Sequence, residues 1–154
     1  MPRYDTLPHI NLYLEQVIDE VVFILKPVFG DNKDKWITPA MVGNYVKQGL
    51  IPRPIGKKYS KDHIAYLIYI SIAKQVLSMG EIKSLMDMQK ETYPIGVAYD
   101  YFCSEFENML HDIFGNKEQP ACTSSSKPLE ANVLRSTIIS VSYAIYTRKM
   151  LEIY

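Results

Sequence analysis

Asn44, Lys47, Arg53, Lys57 and Lys58 gather a carboxamide and four cations into one short stretch of the chain. These are the groups that hydrogen-bond base edges and neutralise phosphates: an amide pairs with adenine, and an ammonium or guanidinium pairs with guanine or the backbone. Projected at about 100° per residue, residues 38–49 place Met41, Val42, Tyr45 and Val46 on one side and Ala40, Gly43, Asn44 and Lys47 on the other. Small side chains on the second face would let the backbone approach a groove closely. Alone, such a helix is more simply an amphipath with a solvated face. The sequel shifts the balance, because Arg53, Lys57 and Lys58 crowd into an irregular segment ending at Tyr59, where cations reach phosphates. The candidate DNA-contacting set is therefore Thr38, Ala40, Met41, Gly43, Asn44, Tyr45, Lys47, Arg53, Lys57, Lys58 and Tyr59.

Other chemistries find less support. His9, His63 and His111 are far apart and in no metal-binding spacing, and Cys103 and Cys122 stand alone without a CxxC. Glu105, Glu107 and Asp112 decorate one acidic helix, which a solvated face explains. No Gly-rich phosphate loop, GxSxG or Cys–His arrangement occurs, so the expectation is a protein that is not an enzyme and needs no metal or cofactor. Tyr99, Phe102, Phe106, Tyr143 and Tyr146, with Asp100 nearby, would suit a pocket for an apolar or cationic small-molecule effector, although core packing is the commoner use of such rings. Met79, Met86, Met88 and Met109 read as gap-filling core residues.

The 154 residues are 47% hydrophobic and 22% charged, near globular averages. No run approaches the roughly 20 apolar residues of a spanning helix, and the first residues lack a signal-peptide core, so a cytoplasmic protein is expected. The formal net charge is +0, yet Lys33, Lys35, Lys47, Arg53, Lys57, Lys58, Lys61, Lys74 and Lys83 share a window with only Asp34, Asp62 and Glu81. A basic patch on a neutral chain suits a polyanionic partner.

Positioning these groups requires the surrounding elements. Residues 9–26 carry Ile10, Leu14, Val17, Val21 and Leu25 at helical spacing, stopped by Pro27 and Gly30. Thr38-Pro39 is a helix start and Gly49 a stop. Residues 51–59, rich in proline and glycine, predict a small ribbon, with no other strand evident. Ser60 opens a helix through about Leu77 that is apolar on more than one face and so belongs at the centre. Ser78 and Glu81 form a capping box for the next helix. A further helix spans residues 94–114, residues 116–127 have loop composition, and a last helix from about Leu129 is apolar nearly all round between Val133 and Tyr146, which predicts burial.

Gly49-Leu50-Ile51-Pro52, Tyr59-Ser60 and Glu81-Ile82, in that order and spacing, resemble the winged-helix head of MerR-family transcription regulators. The opening at residues 8–17, together with Asn44-Tyr45, residues 57–61 and Lys74-Gln75, is similar to small MerR-like proteins of Gram-positive bacteria catalogued as a domain of unknown function. The resemblance implies a mainly α fold, with a winged helix-turn-helix DNA-binding head at residues 8–90 and a helical dimerisation or effector part at residues 94–154. It also implies double-stranded DNA as partner and a homodimer as the working unit. The chain departs from typical MerR proteins at Ala40 and Gly43, where those carry arginines. That departure supports the rival expectation, a helical protein–protein interaction module whose head no longer binds DNA.

Overall fold

The computed structural model describes residues 1–32, 36–115 and 128–154. The expected loop at residues 116–127, with Cys122, and the basic-window residues Lys33 and Lys35 lie outside the described residues. The described chain is mainly helical with one two-stranded antiparallel sheet. In order it runs through a 3-10 turn (Tyr4–Thr6), β1 (Leu12–Tyr13), α1 (Leu14–Phe29), α2 (Pro39–Lys47), β2 (Lys58–Tyr59), α3 (Lys61–Ala73), α4 (Met79–Thr92), α5 (Ile95–Phe114) and α6 (Leu129–Ile153).

The central helix is α3, where the residues from His63 to Ala73 are buried except for half-buried Tyr69. It packs against α1 and β2 and also against α5 and α6, so all-round apolarity is what its position demands. One hydrophobic core runs from Leu7 through Leu67 and Ile82 to Phe106 and Ile145, continuing across the expected boundary near Pro94. The first residues staple its two ends together. The Tyr4 hydroxyl donates to Asp62, its backbone N–H donates to Asp100 Oδ1 at 2.7 Å, and Arg3 reaches Glu107 at 2.7 Å. Tyr4's ring lies against Gly96, where an added Cβ would stand 2.8 Å from Tyr4 Cδ1.

Three expectations are corrected. The first helix begins at Leu14 rather than residue 9, because residues 12–13 form β1, whose partners are Leu12 with Tyr59 and Tyr13 with Lys58. Ile10, expected on the buried face, is exposed. Pro27 does not stop α1, since a proline this near the end forfeits one intrahelical bond; the stop is Gly30, at φ 79°, whose N–H reaches Lys26 O at 2.8 Å. Finally, α6 is buried along a single stripe, Thr137, Ile138, Val141, Ser142 and Ile145, with Tyr143 exposed. The capping box of α4 is as read: Ser78 Oγ accepts from Glu81 N, and Glu81 Oε2 accepts from Ser78 N at 2.7 Å.

Candidate nucleic-acid interface

Local chemistry fixes α2 and its exposed face. Thr38 Oγ1 accepts the Met41 N–H at 3.2 Å, and Pro39 occupies the first helical position, where no donor is needed. Val42 and Tyr45 are buried, which turns Ala40, Gly43, Asn44 and Lys47 outward. A Cβ added to Gly43 would meet nothing within 4 Å, so this face is open to a larger side chain or to a ligand. At the far end Gly49 takes φ 72°, and the Leu50 N–H returns to Tyr45 O at 2.9 Å. Leu50 and Ile51 then plug into the core and anchor the chain where it leaves the helix.

The segment after Ile51 is a tight hairpin. Ile55 and Lys58 exchange both backbone bonds, at 3.1 and 3.0 Å, across Gly56 at φ 56° and Lys57 at φ 61°. Two successive positive φ values define a type I′ turn, whose twist matches that of the flanking strands. Glycine suits the first position at no steric cost. Lys57 is the only non-glycine residue with positive φ among the described residues, and it bears a conformational cost of roughly 1 kcal/mol. Its side chain, with those of Arg53, Ile55 and Lys58, is exposed around the turn.

The base of the hairpin is held by His63. The Ser60 N–H donates to its Nδ1 at 3.0 Å, so Nδ1 is the unprotonated nitrogen, and Nε2–H donates to Pro52 O at 3.1 Å. One imidazole therefore caps α3 and ties down the start of the hairpin. Burial lowers its pKa, outweighing the bond to Pro52 and the nearby Asp62 charge. No described carboxylate pairs with Lys47, Arg53, Lys57 or Lys58. Lys58 Nζ does sit 5.2 Å over the Tyr13 ring. Lys74, on α3, brings its Nζ to 3.3 Å from Met41 Sδ on the flank of α2, and burial lowers its pKa to about 8.

The structure thus divides the eleven candidates. Ala40, Gly43, Asn44, Lys47, Arg53, Lys57 and Lys58 are exposed. Tyr45 and Tyr59 are buried and cannot present their rings to a groove, Thr38 spends its hydroxyl on the cap, and Met41 is half-buried beside Lys74. His63 and Lys74 are the additions. A histidine three residues after a serine cap was a readable sign for the first; nothing in the sequence marked the second as Met41's neighbour.

The five aromatic effector candidates also separate. Tyr99 and Phe102 line a cavity, whereas Phe106 is sealed behind Phe102, stacked on it with ring centres 5.8 Å apart. Tyr146 sits edge-on to Phe114 at 5.3 Å, and Tyr143 is exposed, so neither joins the other three. Among the described residues no group of three His, Cys, Asp or Glu side chains could hold a metal, and no helix is long and apolar enough to cross a membrane. Glu107, expected on a solvated face, is instead half-buried. Burial opposes its charge, yet the bonds from Arg3 and the Met1 amino group hold its pKa below the usual carboxylate value. Burial pushes the Cys103 thiol up to about 11, which leaves it unreactive.

The class defined here is a mainly helical domain that displays a small, open helix face beside a strained cationic hairpin. Its residues 2–102 match the family described as domain of unknown function DUF1836, and the chain belongs to that family. No curated protein and no solved structure matches it.

Proposed function

We propose that the chain is a sequence-specific, DNA-binding transcription regulator acting as a homodimer, with residues 8–90 forming a MerR-like winged helix-turn-helix head. The observation that carries the reading is Lys57, a cation kept at a left-handed backbone position where glycine or asparagine would be less strained. Tolerated strain at an exposed turn, flanked by Arg53 and Lys58 with no described carboxylate to neutralise them, fits a side chain retained for contact with an outside anion. In this reading α2 enters the major groove, Asn44 and Lys47 read bases, and Ala40 and Gly43 allow close approach. The hairpin acts as the wing, with Arg53, Lys57 and Lys58 on phosphates, and Lys47 adds a fourth phosphate contact beside its base. One nine-residue helix buries little surface on DNA, so paired heads on two half-sites supply the rest. Anisotropy titration against selected and random duplexes tests the proposal, with specific binding expected to exceed random binding at least a hundredfold at moderate salt.

A second reading, a protein–protein module without DNA binding, is favoured by exposed Leu151, Ile153 and Tyr154 at the end of α6. Equal, negligible affinity for all duplexes would support it.

A further inference from the structure

A cavity of about 350 Å³ lies between α3, α4, α5 and the start of α6. Tyr69, Met88, Phe102 and Leu134 contribute one wall each, and exposed Tyr93 and Val97 stand among the lining residues that water also reaches. Well-packed interiors hold few voids larger than a water molecule, and a void walled by rings and aliphatic carbons gives water too few partners to order there. A space of this size is therefore suited to an apolar guest.

The lining specifies the guest's chemistry. Tyr69 and Phe102 meet edge-on with ring centres 5.1 Å apart, offering ring edges and faces to an aromatic or aliphatic body. Gln89 already donates to Tyr93 O at 2.7 Å. The Tyr99 hydroxyl, in the same lining, is buried without a hydrogen-bond partner among the described residues, so a donor awaits an acceptor. Charge argues against an ionic guest. Glu130 is the only acidic or basic side chain among the described lining residues, and Lys90, outside the lining, holds its Nζ 5.6 Å over the Tyr66 ring. An anion would meet Glu130 with no base among the described lining residues to receive it, and a cation would exchange its hydration for that one half-buried carboxylate in a lining otherwise of rings, aliphatic carbons and the Gln89 amide.

We propose that this cavity is a binding site for an uncharged, mostly hydrocarbon molecule of about two fused or linked rings carrying a single hydrogen-bond acceptor. The size follows from scale: a cavity of about 150 Å³ accepts benzene, so one of this volume accepts on the order of 12–16 heavy atoms. The site does not rest on the DNA-binding reading, because it is defined and tested without DNA.

The test uses the full chain and 6-acetyl-2-dimethylaminonaphthalene, a neutral aromatic amine of two fused rings with one carbonyl acceptor, which brightens in apolar surroundings. Saturable 1:1 binding with Kd of about 10 µM is expected, weakened at least tenfold by Ala98→Leu and by Ala131→Leu, which fill the cavity from α5 and α6. Methionine-methyl NMR guards against a folding artefact. In the unmodified protein the Met86 and Met88 signals shift on adding the amine while Met1 and Met41 stay. Absence of saturable binding, shifts equal at all four methionines, or undiminished binding by a well-folded Ala98→Leu variant would each overturn the site. Tenfold tighter binding of a naphthylmethylammonium or a naphthalenesulfonate would overturn the uncharged assignment.

Discussion

Lys57 stands at φ 61° on the exposed Gly56–Lys57 turn, so Lys57→Asn changes two quantities in opposite senses. Asparagine tolerates the left-handed region better than lysine, and a Gly-Asn pair is a favoured hairpin turn. Of the roughly 1–2 kcal/mol that a side chain costs there, about 0.5–1 kcal/mol is regained. For a chain of this size that raises Tm by about 1–4 °C. If the proposed homodimeric DNA complex is right, the same substitution removes one phosphate contact per protomer. Four cations in each of two protomers give a log–log salt slope near −7, of which each contact supplies about 0.9, so the variant's slope falls to about −5. Thermal unfolding followed by far-UV circular dichroism reads the first effect, and anisotropy titrations over a series of KCl concentrations read the second. A variant that is more stable but keeps the full slope refutes the phosphate contact. One that melts several degrees lower refutes the account of strain.

Replacing His63 by alanine strips the Ser60 N–H and the Pro52 carbonyl of their partner, and is expected to cost about 2 kcal/mol by urea denaturation. Because its folded pKa lies below the ordinary 6.5, the native state binds that proton more weakly than the unfolded chain does. Its contribution is full above about pH 6.5 and is lost as pH falls through the lower folded value. Stability should therefore drop between pH 7 and 5 in the parent and drop less in the variant, and parallel profiles would exclude the role. Gly96→Ala drives a methyl to 2.8 Å from Tyr4 Cδ1, and Tyr4 is pinned by Asp62 and Asp100. A loss of about 1–2 kcal/mol is expected, largely abolished in a Tyr4→Ala background; an undiminished loss there would place its origin elsewhere.

The helix that carries the candidate interface was legible because its period separates Val42 and Tyr45 from Ala40, Gly43, Asn44 and Lys47, and burial follows that division residue by residue. Thr38-Pro39 and Ser78 with Glu81 likewise act through local bonds that leave a local signature. What escaped depends on distant partners. Strand β1 is two residues long, too short to show alternation, and exists because Lys58 and Tyr59 arrive beside it. The type I′ turn was hidden because lysine occupies a position where asparagine or glycine would have announced it. The aromatic cavity draws on Tyr66, Tyr69 and Met88 of α3 and α4, which meet Tyr99 and Phe102 only in the folded chain. In α6, composition overstated burial, since Tyr143 and Tyr146 sit partly in solvent and only one stripe faces the core.

Whether the exposed face of α2 and its hairpin read DNA is tested most directly by salt-dependent binding of the parent and of a Lys57→Ala, Lys58→Ala double variant to a selected duplex. The prediction is a slope near −7 for the parent, and for the double variant an affinity at least tenfold weaker with a slope reduced to about −4. A parent slope near zero, or a folded double variant that binds as tightly as the parent, would contradict it.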